Sequence, residues 1–180
     1  MNAFHSIRIS RILLVLLIPL LPRCNMAQKT TLQVGDALPD FTLLDQDGKS
    51  FVLSEHIGKK PIVIYFYPKD ETPGCTKEAC AFRDAFEAFT DKQVMVIGIS
   101  ADDVETHKNF ARHYNLPFTL LADTKNKVRK LFGVPKYAFF VPGRVTYIID
   151  KNGRIAHIFN SMTRAEKHIS EALRILDTLP

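Results

Sequence analysis

Ile62-Val63-Ile64-Tyr65-Phe66-Tyr67-Pro68-Lys69-Asp70-Glu71-Thr72-Pro73-Gly74-Cys75 is the stretch that decides the fold. Its first six residues are β-branched or aromatic and do not alternate with polar ones. A strand buried on both faces has that pattern. Pro68 ends the strand. Beyond it, Ala79, Phe82, Phe86 and Phe89 recur at helical spacing and give residues 75–89 one apolar stripe. A buried strand leading into a helix is half of a right-handed β-α-β unit.

The second half follows at Val94 to Ile99, another continuous apolar run. Asp102 or Asp103 is placed to cap a helix ending near Tyr114, with Val104, Phe110 and Ala111 inward. Phe118 to Leu121 reads as a strand. Lys125 to Phe132 reads as a short helix that Gly133 terminates. Upstream, Phe41 to Leu44 and Phe51 to Leu53 flank Asp45-Gln46-Asp47-Gly48, the composition of a β-hairpin. Downstream, Val145 to Ile149 and Ile155 to Phe159 flank Asp150-Lys151-Asn152-Gly153, a second hairpin. Arg164 to Leu176 closes the chain as an amphipathic helix, with Ile169, Ala172, Leu173 and Leu176 on its apolar side. Parallel pairing early and antiparallel pairing late give an α/β protein. Its mixed central β-sheet is flanked by helices and carries an N-terminal β-hairpin, which is a thioredoxin-like fold. Residues 31–178 form this one domain.

The 180 residues include 24 Lys+Arg against 19 Asp+Glu, a formal net charge of +5, with three cysteines and no tryptophan. The 46% hydrophobic and 24% charged content is that of a globular chain. Three cysteines are too few for a disulfide-stapled scaffold. Zinc is not expected either. Cys75-x₄-Cys80 and His107-x₅-His113 have loose spacing, and 26 residues separate the pairs. No metal or cofactor is expected. Nor is nucleic acid, because Arg8, Arg11 and Arg23 supply three of the five net charges from an acid-free leader. Lys125, Lys127, Arg129 and Lys130 read as a solvated helix face. The histidines read as surface or packing residues. Phe139-Phe140-Val141 reads as an apolar rim or as packing.

Residues 1–27 read as a targeting segment. Arg8 and Arg11 precede ten residues, Ile12 to Leu21, that are apolar throughout. A basic region followed by an apolar run of that length has the form of a secretory signal. The run is short for a membrane span of about 20 residues. Export to the periplasm or another extracytoplasmic space is the expectation. Any membrane contact would come through this leader, as an anchor or a lipid on Cys24. Organelle targeting is the other reading.

Cys75 carries the chemistry. It stands at a helix start, where free N–H groups and a partial positive charge favour the thiolate, the nucleophilic form. Cys80 lies five residues on in the same helix. Five residues rise about 7.5 Å and rotate about 140°, which sets the Cα atoms on the order of 8–9 Å apart. A disulfide needs roughly 4.4–6.8 Å. The pair therefore bonds only if the first turns unwind, or never bonds. A thiol–disulfide oxidoreductase would carry C-x-x-C at this place. A redox-inactive binding module on the same fold would leave Cys75 slow to label. Read by themselves, Pro68 is a strand terminator, Glu78 a favourable carboxylate in a helix first turn, and Arg144 a strand-end arginine.

Pro68-x-x-x-Thr72-x-x-Cys75 resembles the peroxiredoxin active-site motif. Thr72-Pro73-Gly74-Cys75-Thr76-Lys77-Glu78-Ala79-Cys80 resembles the peroxiredoxin Q, or bacterioferritin comigratory protein, subfamily. Gly35 to Phe41, Phe66 to Asp70 and the strand Pro142-Gly143-Arg144-Val145 fit as well. The resemblance implies a thiol peroxidase acting on hydrogen peroxide and organic hydroperoxides. Cys75 would become a sulfenic acid, and Cys80 would resolve it as an intramolecular disulfide. A thioredoxin-type donor would reduce that disulfide. Thr72 would bond the incoming peroxide and the sulfur. Arg144 would hold the thiolate, with Glu78 beside it, and Pro68 would shield the pocket. The protein is taken to be a monomer.

Overall fold

The computed structural model describes residues 31–180. The export signal read in residues 1–27 lies outside them. The strands are β1 (Thr42–Asp45), β2 (Ser50–Val52), β3 (Ile62–Phe66), β4 (Met95–Ser100), β5 (Thr119–Ala122), β6 (Lys136–Tyr137), β7 (Val141–Pro142), β8 (Val145–Ile149) and β9 (Ile155–Asn160). The main sheet has the order β2-β1-β5-β4-β3-β8-β9. β3, β4 and β5 run parallel. β8 pairs antiparallel with β3, and β9 with β8. The β1–β2 hairpin adds antiparallel to the edge of β5. The sheet is mixed, with the buried strand that opened the sequence reading, β3, in its interior between β4 and β8.

The helices are α1 (Pro73–Asp84), α2 (Phe86–Asp91), α3 (Val104–His113), α4 (Lys127–Leu131) and α5 (Ala165–Leu176). β3 is apolar throughout because both faces are covered. Val63, Tyr65 and Tyr67 point into a core with Phe82 of α1, Phe89 of α2, Phe110 of α3 and Ile169 of α5. Ile62, Ile64 and Phe66 point into the other core, with Phe41, Phe51, Val128 of α4 and Phe132.

Two local readings change, and one open choice is settled. Residues 75–89 are two helices, because the chain breaks at Ala85 (φ −95°, ψ 6°). The break lets Phe89 meet Phe82, with ring centroids 5.7 Å apart. Asp103, not Asp102, caps α3, its side chain accepting from the Thr106 N–H at 2.8 Å. Arg129 does not belong to a solvated face. It is buried, donates to the carbonyls of Gly143 (2.8 Å) and Tyr67 (2.5 Å), and lies over the Phe66 ring. The α4 periodicity exposes Lys127 and Lys130 and turns Arg129 inward.

Candidate active site

Cys75 is the third residue of α1. Thr72 caps the helix in extended conformation and Pro73 fills its first position, where a missing N–H costs nothing. Thr76 N–H donates the first intrahelical bond, to the Thr72 carbonyl at 2.8 Å. The N–H groups of Gly74 and Cys75 lie ahead of that bond and have no acceptor within the helix. Cys75 and Cys80 are both free thiols, buried and half-buried respectively. One unbroken helix carries both, which keeps the sulfurs apart as their spacing implied.

β8 brings Arg144 to this helix end. β8 pairs with β3 through Val145 and Phe66, so the residue before Val145 reaches the end of β3 from which the Cys75 loop leaves. The Arg144 Nη2 lies 3.4 Å from Cys75 Sγ. Its Nη1 donates to Glu78 Oε2, and its Nε to the Met162 carbonyl at 3.3 Å. Gly74 leaves room for the guanidinium: a Cβ there would lie 3.2 Å from Nη2.

Glu78 is fully buried, and burial pushes its carboxyl up to about 8 against the opposing pull of Arg144. Its Oε1 has no hydrogen-bond partner among the described residues. His168 Nδ1 faces that oxygen at 3.5 Å. The imidazole is also buried, with Nε2 at 2.9 Å from the Ser161 carbonyl and Nδ1 at 2.7 Å from the Thr146 hydroxyl. Burial lowers His168 to about 4, so the ring is neutral near pH 7. A neutral ring that donates Nε2–H to Ser161 accepts from Thr146 at Nδ1.

Of the expected site residues, the fold brings Cys75, Arg144 and Glu78 into contact. Thr72 stands at the cap, but its hydroxyl donates to the Lys69 carbonyl at 2.9 Å rather than to the sulfur. Pro68 is half-buried at the end of the central strand. Cys80 lies further along α1.

Four residues that sequence reasoning passed over hold the site. Asp70 is buried and accepts from the Tyr67 hydroxyl at 2.7 Å, while its Oδ2 lies 2.7 Å from His107 Nδ1. This network ties the loop between β3 and α1 to α3. Arg129 ties Gly143, just after β7, to Tyr67. His168 backs Glu78. His107 falls three residues after Val104 and three before Phe110, on the inward stripe of α3. That spacing was the available signal.

The AhpC/TSA family matches residues 34–158. Peroxiredoxin Q, chloroplastic, of Oryza sativa subsp. japonica is 56% identical over 146 residues, covering 81% of this chain and 67% of that protein. The protein of the same name from Arabidopsis thaliana is 57% identical over 143 residues, covering 79% of this chain and 66% of that protein. The crystal structure of peroxidoxin BcpB from Mycobacterium tuberculosis superposes with a TM-score of 0.77 at 34% identity. It covers 83% of this chain and 99% of that one. The expectation of an exported protein is corrected by the Oryza and Arabidopsis relatives, which are chloroplastic and point to organelle targeting. An apolar run after arginines did not discriminate a secretory signal from another targeting segment. Family, fold and thiol agree over the same residues, so the chain belongs to the AhpC/TSA family, among the peroxiredoxin Q thiol peroxidases.

Proposed function

We propose that Cys75 is the peroxidatic cysteine and Cys80 the resolving one. The observation that carries this is the Arg144 guanidinium against Cys75 Sγ at the start of α1. The Cys75 thiolate attacks one oxygen of a hydroperoxide. The O–O bond breaks, Cys75 becomes a sulfenic acid, and the other oxygen leaves as water or an alcohol after taking a proton. The Gly74 and Cys75 N–H groups and Arg144 stabilise the oxygen that becomes negative. The Thr72 hydroxyl spends its proton on Lys69, so its lone pairs are left to accept the peroxide O–H. Pro68 and Glu78 shape the pocket and hold Arg144.

The Cys80 thiol then attacks the sulfenic sulfur, water leaves, and a disulfide forms after the first turns of α1 unwind. A protein dithiol of the thioredoxin type takes the two sulfurs back to thiols and becomes a disulfide itself. Both cysteines lie on one helix, so the cycle closes within a single chain, which supports a monomer. Residues 1–27 are proposed to be an organelle transit segment. Arg8, Arg11 and Arg23 with Ser6 and Ser10, and no acid, fit that composition.

Stopped-flow peroxide consumption tests the assignment. Cys75→Ser should abolish it, and retained activity would refute the role. Cys80→Ser should keep one turnover that ends in a sulfenic acid, yet lose steady turnover with thioredoxin. Persistent thioredoxin-driven turnover would mean that another thiol resolves.

A further inference from the structure

Between Thr124 and Ile149 the chain carries six Lys and Arg and no Asp or Glu. Arg129 and Arg144 are buried; Lys125, Lys127, Lys130 and Lys136 are exposed. No carboxylate lies within ion-pair distance of these four among the described residues. The same stretch holds Phe139 at 98% and Phe140 at 77% exposure, on the tip between β6 and β7. Ala138 and Phe139 both take positive φ (45° and 67°). An L side chain is strained in that conformation. The fold bears this strain to hold two phenyl rings in water.

The tip is anchored. Gly143 N–H donates to the Pro135 carbonyl at 2.9 Å, and a Cβ on Gly143 would lie 2.5 Å from that oxygen. The Tyr137 hydroxyl donates to Asn160 Oδ1 at 2.8 Å. Under Phe140 lies a cleft of about 220 Å³ bounded by Lys125, Lys130, Lys136, Val134 and Pro142. It suits a carboxylate with apolar surface around it.

The face lies at the active-site end of the sheet. α4 follows the carboxyl end of β5, and the Cys75 loop follows the carboxyl end of β3. These strands are parallel to β4, so both elements leave from one edge. Gly143 joins the hairpin directly to Arg144.

We propose that this aromatic, lysine-rimmed face docks the protein dithiol that reduces the Cys75–Cys80 disulfide. The partner would carry an apolar collar and carboxylates around its reactive cysteine, one carboxylate entering the cleft. The proposal rests on the peroxidase reading above. A peroxide diffuses to Cys75 without a docking surface, whereas a protein reductant must be seated at this end in every cycle. Charge complementarity with an acidic partner raises its encounter rate. An anionic bilayer also takes aromatic tips ringed by lysine. Seated here, it would cover the end of the sheet where both reactants arrive, so the protein partner is favoured.

The test compares the full chain with a Lys125→Glu, Lys130→Glu, Lys136→Glu variant and a Phe139→Ser, Phe140→Ser variant. Each is driven by an acidic thioredoxin or by dithiothreitol. In both variants KM for thioredoxin should rise about tenfold, and the thioredoxin-to-dithiothreitol ratio of rates should fall about tenfold. Added salt should slow the thioredoxin reaction of the wild type and leave that of the lysine variant nearly flat. An unaltered KM for thioredoxin overturns the proposal, as does an equal loss with dithiothreitol. Loss of sedimentation with phosphatidylglycerol vesicles at unaltered thioredoxin KM would give the face to a membrane and overturn it too. Failure of the reduced wild type to consume peroxide would instead overturn the underlying peroxidase reading.

Discussion

Glu78 presents one oxygen to Arg144 and the other to His168. Its carboxyl, raised to about 8, is neutral below that pH and leaves the charge of Arg144 to Cys75. As pH rises through about 8, the carboxylate takes a share of that charge and the sulfur loses it. The rate of Cys75 oxidation by hydrogen peroxide in wild type should therefore fall several-fold between about pH 7.5 and 9. Glu78→Gln stays neutral and should lack that descending limb. A limb of the same size in the variant would exclude Glu78 as its source. Cys75, Glu78 and Arg144 were legible in the sequence, because each stands at a fixed place in a short motif. His168, Asp70 and Arg129 were not legible, because each becomes a buried polar anchor only when distant segments fold around it. Arg129 shows the reason: four basic residues within six positions look alike in sequence, and only the packing of α4 turns one of them inward.

In the proposed cycle α1 has two duties: it holds Cys75 beside Arg144, and it opens for Cys80. Lys77 lies between the two cysteines, exposed, with only a surface ion pair to Glu166 at 3.2 Å. Such a pair contributes about 0–1 kcal/mol. Lys77→Gly should weaken the helix by about 1 kcal/mol while removing no buried contact. Disulfide formation after a peroxide pulse should then run up to about fivefold faster, and the thermal midpoint should drop by a few degrees. An unchanged disulfide rate would mean that opening of α1 does not limit resolution. At this scale the strong periodic patterns were legible: the central strands, α3, α5 and both turns at Gly48 and Gly153. The β6–β7 hairpin was not, since two-residue strands leave no period to read. The break at Ala85 was hidden because the apolar stripe continues through it.

At the scale of the whole molecule, the described residues form two cores, one on each face of the sheet, and buried polar groups cross between the layers. His168 is one of them, and it links α5 to β8 through Thr146. Its ordinary value of 6.5 falls to about 4 on burial, so the unfolded chain binds the extra proton between those limits. Its contribution to stability is complete above about pH 6.5 and is lost as pH falls through about 4, on the order of 3 kcal/mol. Urea midpoints should therefore drop between pH 7 and 4.5 more steeply in wild type than in His168→Gln; equal slopes would rule His168 out as the acid-sensitive group. The parallel β3–β4 pair and the β1–β2 and β8–β9 hairpins were legible in the sequence; the strand order β2-β1-β5-β4-β3-β8-β9, which sets β8 beside β3 and the first hairpin on β5, was not. Arg144 sits at the start of a fully paired strand, whereas Cys75 sits on a helix end. In the proposed cycle that end opens while the guanidinium keeps its station, like the keeper plate of a latch. The sulfur would then come home to one fixed address after every reduction, and a thousandth turnover would begin from the same geometry as the first.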